Sequence, residues 1–209
     1  MKLIELSVRE YVQQLASGEA TPGGGSAAAL SCAMAAGLCA MAARLTLGKA
    51  KYEKSWARMR AVADQVTVAK QTLLSLVDED CEAYNQVLAA YRLPKADDDQ
   101  KKRRQAAVGR AFQLAASIPL QTLHQAAQLI EPLRLVVAEG NPNCITDAGA
   151  AVQFCRAGAQ AAADNVRINL EAMKDNAVAA ELEKKCAELW KQVDTGTNQL
   201  KSQVAEKMS

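Results

Sequence analysis

The sequence predicts an all-α protein, a bundle of about six helices around two buried small-residue helices. Three observations predict it. Half of the 209 residues are hydrophobic but only 4% are aromatic, and alanine dominates, a composition that lets helices approach closely. Residues 26–46 and the stretch beginning at Ala148 consist mainly of Ala, Gly, Cys, Ser and Met; each reads as a helix apolar on all sides, which calls for burial on all sides. A third stretch, residues 53–91, spaces its apolar residues by alternating steps of three and four without a break, the mark of a packed helix seam. No repeat, linker or low-complexity tail divides the chain, so residues 1–209 read as one domain.

In chain order, the first helix spans about 7–16, with Ser7 as N-cap, Glu10 completing a capping box, and Val8, Tyr11, Val12 and Leu15 as its apolar face. Thr21-Pro22-Gly23-Gly24-Gly25-Ser26 follows. The glycines cannot continue a helix cheaply, and they leave the next helix an N-terminus of free N–H groups behind a bare backbone loop. The central helix closes at Leu47-Gly48, and Lys49, Lys51 and Tyr52 stand in a polar connection. The seam of the long third helix reads Met59, Val62, Val66, Ala69, Leu73, Leu76, Asp80, Ala83, Val87 and Ala90. A fourth helix, about 99–138, carries Pro119 and Pro132, each of which should kink or break it. Residues 139–143 form a turn, after which Thr146 or Asn143 caps the fifth helix. The last helix, about 175–208, shows the stripe Leu182, Cys186, Leu189, Val193, Leu200 and Val204.

A net charge of +2 with both signs interspersed argues against a nucleic-acid surface. Cys32, Cys39, Cys81, Cys144, Cys155 and Cys186 lack C-x-x-C spacing and read as small reduced core residues; no metal site is expected. The acidic, amphipathic start is not a signal peptide. Residues 26–46 approach membrane-spanning length but are too rich in Ala, Ser, Gly and Cys to favour a span. The expectation is a cytoplasmic protein without membrane association.

Four features point to a site. Asp80 interrupts an otherwise apolar seam, where a carboxylate costs several kcal/mol unless paired or hydrogen-bonded; it either satisfies a helix end or a cation in the core or serves chemistry. The glycine loop offers backbone to a ligand. Asp147 falls in the first turn of the fifth helix, where capping alone would explain it. Asn165 and Asn169 lie one turn apart on an apolar surface, where buried amides need partners in a neighbouring helix or in a ligand. The single histidine, His124, falls off its helix's stripe and is left without a role.

The segments TPGGGSAAAL, LTLGKAKY, DEDCEAY, LPK, SIPL and GNPNCITDAGAAV…NVRINL, in that order across almost the whole chain, resemble the formiminotransferase-cyclodeaminase C-terminal family. The resemblance is nearest to its free-standing methenyltetrahydrofolate cyclohydrolases. It implies an all-α homodimer that acts on a tetrahydrofolate derivative, with no separate cofactor. The implied activity is hydrolysis of 5,10-methenyltetrahydrofolate to 10-formyltetrahydrofolate in one-carbon metabolism. The alternatives are a formiminotetrahydrofolate cyclodeaminase, which closes the ring and expels ammonia, and a non-catalytic folate-binding or partner protein. On this reading Asp80, Lys49 and Tyr52 are the expected catalytic groups. The expected substrate-binding groups are Thr21, Gly23, Gly24, Gly25, Ser26, Lys51, Asn141, Asp147, Asn165 and Asn169. One departure is Cys32, where another small residue is expected.

Overall fold

The computed structural model describes residues 2–173 and 177–209, and among them are six α-helices and no strand. The helices are α1 (Val8–Leu15), α2 (Gly24–Arg44), α3 (Trp56–Tyr91), α4 (Asp98–Glu139), α5 (Ile145–Glu171) and α6 (Ala177–Met208). Short 3-10 turns at Leu3–Glu5, Ala50–Ser55 and Pro142–Cys144 complete the chain. Helix α2 lies between α3 and α5 and touches α4, while α6 covers α4 and α5. The expected start of the last helix at Asp175 falls outside the described residues.

The two small-residue helices are neighbours and run antiparallel. Gly24 lies against Asn165, Ala28 and Cys32 lie against Gly158, and the Ser31 hydroxyl donates to the carbonyl of Phe154 at 2.9 Å. A β-carbon on Gly158 would come within 2.6 Å of Cys32 Sγ and 2.7 Å of the Ala28 carbonyl oxygen. The backbones therefore meet where glycine removes the last obstacle. The α3 seam is buried at every apolar position from Met59 to Ala90, with Asp80 half-buried among them. The capping box of α1 forms as read, Ser7 accepting from the Glu10 N–H and Glu10 Oε2 accepting from the Ser7 N–H at 2.8 Å.

Five expectations are corrected. Gly24 and Gly25 form the first turn of α2 instead of preceding it; the helix dipole and the contacts described below hold them there. Helix α2 is not buried on all sides, because α3, α4 and α5 leave one side of it open; Met34, Met41 and Leu45 are exposed along one stripe. Val8 and Val12 on α1 face solvent and Tyr11 alone is buried, because α1 is one short helix laid on the surface. Neither Thr146 nor Asn143 caps α5: the N-cap is Cys144, and the Asn141 side chain instead accepts from Asn143 N–H in the preceding 3-10 turn. Helix α4 also runs unbroken through both prolines, each of which is buried.

Helix α2 is long and apolar enough to cross a membrane by length and composition, yet most of that stretch is packed inside the bundle. Five of the six cysteines are buried and all are free. Burial pushes the thiols of Cys39 and Cys155 up to about 12, and that of Cys32 well above its ordinary value, so none is a thiolate at neutral pH. Cys32 is thus a packing residue at the α2–α5 crossing.

Candidate active site

A cleft of about 330 Å³ opens where the N-terminus of α2 meets α3, α4 and α5. Its polar groups are Thr21, Asp80, Asn165 and Asn169 with the backbone of Gly23, Gly24 and Gly25, and its apolar walls include Tyr84, Phe112 and Ile168. Seven of the expected site residues meet here, and Ser26 is buried directly behind them.

Asp80 is the centre of the arrangement. The first intrahelical bond of α2 is Ala27 N–H to Gly23 O, which leaves the N–H groups of Gly24, Gly25 and Ser26 without helical partners. The Asp80 side chain stands against this first turn of α2 from the neighbouring helix. It faces the α2 N-terminus and lines the cleft. Burial raises its pKa above the ordinary carboxylate range, and the Ser26 N–H offsets part of that rise. Ser26 is itself fixed, its hydroxyl 3.1 Å from that of Tyr11, the buried anchor of α1.

The glycines make room for side chains of the protein. A β-carbon on Gly25 would fall 2.6 Å from Asp80 Cγ and 2.8 Å from its Oδ2, and one on Gly24 would fall 3.2 Å from Asn165 Nδ2. Gly25 is therefore glycine because Asp80 occupies the space a side chain would need.

The two asparagines are held by their amide nitrogens. Asn165 Nδ2 donates to Ala161 O at 2.8 Å, and Asn169 Nδ2 donates to Asn165 O and to Ala115 O, each at 2.9 Å. Their amide oxygens accept nothing among the described residues and remain available in the cleft. Ala115 can receive Asn169 because Pro119, four residues on, has no N–H to claim that carbonyl. A proline that the sequence marks as a helix breaker thus supplies an acceptor that aims Asn169. Pro119→Ala should restore the helical bond and loosen Asn169. Losing about 1 kcal/mol of hydrogen bonding corresponds to roughly a five-fold higher KM for the ligand, with kcat and melting temperature no lower. An unchanged KM would remove Pro119 from this role.

Five expected residues do not reach the cleft within the chain. Lys49, Lys51, Tyr52, Asn141 and Asp147 gather at the C-terminal end of α2, about 30 Å away along a helix of this length. Asn141 is 5% exposed, and it bonds to three segments of the protein. Its N–H donates to Thr46 Oγ1 at 2.9 Å and its Nδ2 to Leu45 O at 3.3 Å, while its Oδ1 accepts from the Tyr52 hydroxyl and Asn143 N–H. Asn141 ties the end of α2 to the α4–α5 turn. Lys51 Nζ lies 4.7 Å from the Tyr52 ring centroid, and Lys49 is exposed.

Sequence reasoning gave Tyr84, Phe112 and Ile168 no place in the site. Tyr84 was within reach of that reasoning: it follows Asp80 by four residues and shares its helix face.

The chain matches the family model described as formiminotransferase-cyclodeaminase over residues 7–188. It belongs to the formiminotransferase-cyclodeaminase family. Within it the chain is 38% identical over 175 residues to the methenyltetrahydrofolate cyclohydrolase of Methylorubrum extorquens, covering 84% of each chain. It is 33% identical over 193 residues to the formimidoyltransferase-cyclodeaminase of Sus scrofa, of which it spans 36%. The crystal structure of formiminotetrahydrofolate cyclodeaminase from Thermotoga maritima superposes with a TM-score of 0.90 at 25% identity, with both chains fully covered. The six-helix bundle is therefore the family fold, and the cleft lies within the matched region.

Proposed function

We propose that the protein is a hydrolase of one-carbon metabolism that opens 5,10-methenyltetrahydrofolate to 10-formyltetrahydrofolate in this cleft. The observation that carries the reading is Asp80: a half-buried carboxylate with a raised pKa, set against the α2 N-terminus in a cleft with polar groups on one side and aromatic walls on the other. The identity to a cyclohydrolase over most of both chains supports it. The bridge carbon of the substrate is a cationic amidinium, so a carboxylate both stabilises the cation and accepts a proton from the attacking water. The C–O bond forms, then the bond from bridge carbon to ring nitrogen N5 breaks with its electron pair going to N5. Of the two protons of water, one ends on N5 and one is released. The steps as written use water alone, with no separate cofactor.

The free amide oxygens of Asn165 and Asn169 suit the N–H edge of the pterin, and the unpaired N–H groups of Gly24 and Gly25 suit its carbonyl. Tyr84 and Phe112 offer faces for its rings. Thr21 and Gly23 complete the rim. In this reading the protein is cytoplasmic and homodimeric, α2 is a core helix and not a membrane span, and no nucleic acid takes part.

The test is direct. Purified protein mixed with 5,10-methenyltetrahydrofolate should discharge the methenyl chromophore well above the buffer rate. Release of ammonia from formiminotetrahydrofolate with the methenyl form left intact would make it a cyclodeaminase, the activity named for the Thermotoga maritima neighbour.

A further inference from the structure

The ionisable side chains among the described lining residues of the cleft are Asp80 and Tyr84. A folate also carries carboxylates, on the glutamate at the far end of the molecule from its pterin, and these call for a cation. Arg110 and Arg167, sequence neighbours of the cleft residues Phe112 and Ile168, do not line it. Arg167 pairs with Asp164 at 2.8 Å, and Arg110 lines a separate groove with Gln86 and Leu93.

The aromatic wall of the cleft leads to a third arginine. Tyr84 and Phe112 line the cleft, and the Tyr91 ring meets the Phe112 ring edge-on, with centroids 6.0 Å apart and planes at 80°. Arg104 in turn lies over Tyr91, its guanidinium carbon 5.3 Å from the ring centroid. Its Nε donates to the Tyr91 carbonyl at 3.1 Å, so one residue fixes the guanidinium by both ring and backbone. Arg104 is half-buried, and no carboxylate pairs with it among the described residues. The spacing follows the same line. Asp80, Tyr84 and Tyr91 stand at steps of four and seven on α3, and Arg104, Val108 and Phe112 at steps of four on α4, so each set shares a face. The turn between these helices adds positive charge: from Arg92 to Arg104 there are six cations against three aspartates. Of the three, Asp97 accepts from the Gln100 N–H and Asp98 pairs with Lys101.

From these contacts we infer that Arg104 binds the glutamate carboxylate of the folate, with Phe112 and Tyr91 carrying the p-aminobenzoyl ring between it and the pterin. The lengths agree when the methenyl bridge sits at Asp80. Asp80 and Tyr91 are eleven residues apart, about 16 Å along α3. A p-aminobenzoyl ring and its glutamate are about as long as three extended residues, roughly 10 Å, and the arginine and aspartate side chains are long enough to cover the rest. A guanidinium offers a carboxylate two parallel N–H donors, and its stacking on Tyr91 orients that fork in advance. The inference rests on the cleft being the folate site. It makes Arg104 a determinant of specificity and gives it no part in the proton transfers.

The full chain tests it with two substrates, 5,10-methenyltetrahydrofolate and 5,10-methenyltetrahydropteroate, which keeps the rings and the bridge but lacks the glutamate. Arg104→Ala should raise KM for the folate about ten-fold, the size of a lost charge-assisted hydrogen bond. KM for the pteroate and kcat for both should stay as in the wild type. Arg104→Lys should recover part of the loss, and Arg110→Ala should leave both substrates unaffected. An unchanged folate KM in Arg104→Ala, an equal rise for both substrates, or a folate-selective loss in Arg110→Ala overturns the inference. Calorimetry with tetrahydrofolate and tetrahydropteroate reads the same discrimination without turnover. Tighter binding of tetrahydrofolate that Arg104→Ala abolishes, in a protein that hydrolyses no methenyl substrate, would refute the proposed reaction and leave the Arg104 subsite standing. Binding of neither pterin by the wild type would overturn the folate reading and this inference with it.

Discussion

Replacing Asp80 by asparagine is expected to lower turnover of 5,10-methenyltetrahydrofolate by about 10²–10⁴-fold, the usual contribution of a positioned general base, with the fold intact. Asparagine keeps the shape and leaves an amide oxygen facing the α2 N-terminus, so the packing there survives. Stability should move the other way. An acid whose pKa is raised on folding stabilises the folded state most below its unfolded pKa, and that contribution is lost as pH rises through the folded value. Above that point the wild type carries a desolvated charge that the amide lacks. Asp80→Asn should therefore melt at the same temperature or higher at neutral pH, and its advantage should shrink as pH falls. The pH profile gives a second check: kcat/KM of the wild type should rise with pH through the elevated Asp80 pKa, and in the mutant that limb should flatten. A normal rate per folded molecule in Asp80→Asn would exclude the carboxylate from the chemistry and leave it a structural role alone.

The second large effect belongs to Gly25→Ala, a substitution that looks stabilising from sequence. Alanine is the better helix former by about 1 kcal/mol, and losing a carboxylate at a helix N-terminus costs up to about 1 kcal/mol, so the melting temperature should hardly change. The activity should not survive. The new β-carbon would meet Asp80 within 2.6 Å at Cγ, and the carboxylate must swing away from Ser26 and from the cleft. Misplacing a reacting group by about 1 Å can cost 10²-fold, and a loss of that order or greater is expected. Gly109→Ala is the matched control, since nothing lies within 4 Å of its would-be β-carbon; it should leave the rate alone. Adding Gly25→Ala to Asp80→Asn should remove little further activity, because both act through one side chain. A Gly25→Ala protein with wild-type turnover would show that the carboxylate works from another position.

Much of the fold is legible because helix periodicity reports which face is apolar. The α3 seam is buried where its spacing puts it, and the capping signature of α1 forms as Ser7 and Glu10 dictate. Asp80 stood out as a lone carboxylate in that seam, and the structure places it in the cleft. Periodicity cannot say how many neighbours a helix has. Helix α2 reads as apolar all round, yet α3, α4 and α5 do not enclose it and the stripe through Met34 and Met41 is left open. Nor does it tell which end of a bundle a residue reaches. Lys49 and Asp80 are adjacent in a list of reactive side chains and are separated by the length of a helix. Pro119 was read as a break because the rule weighs the bond it removes; the freed Ala115 carbonyl depends on Asn169, which is 50 residues further along and invisible to local reasoning.

The close meeting of α2 and α5 at Gly158 gives the bundle an uneven sensitivity to change. Their shared core is alanine, cysteine and glycine, so it has few side chains to trim, and its vulnerability is to added volume. Overpacking of that kind typically costs about 1–3 kcal/mol per site, and Ala29, Ala36, Cys155 and Ala159, all fully buried, are the exposed flank of that argument. The leucines of α3 and α4, Leu73, Leu123, Leu129 and Leu133, present the opposite case, in which truncation to alanine opens a cavity at about 2–5 kcal/mol each. One half of the molecule resists shrinkage and the other resists growth, so a saturation scan of the two helix pairs would yield mirror-image tolerance profiles.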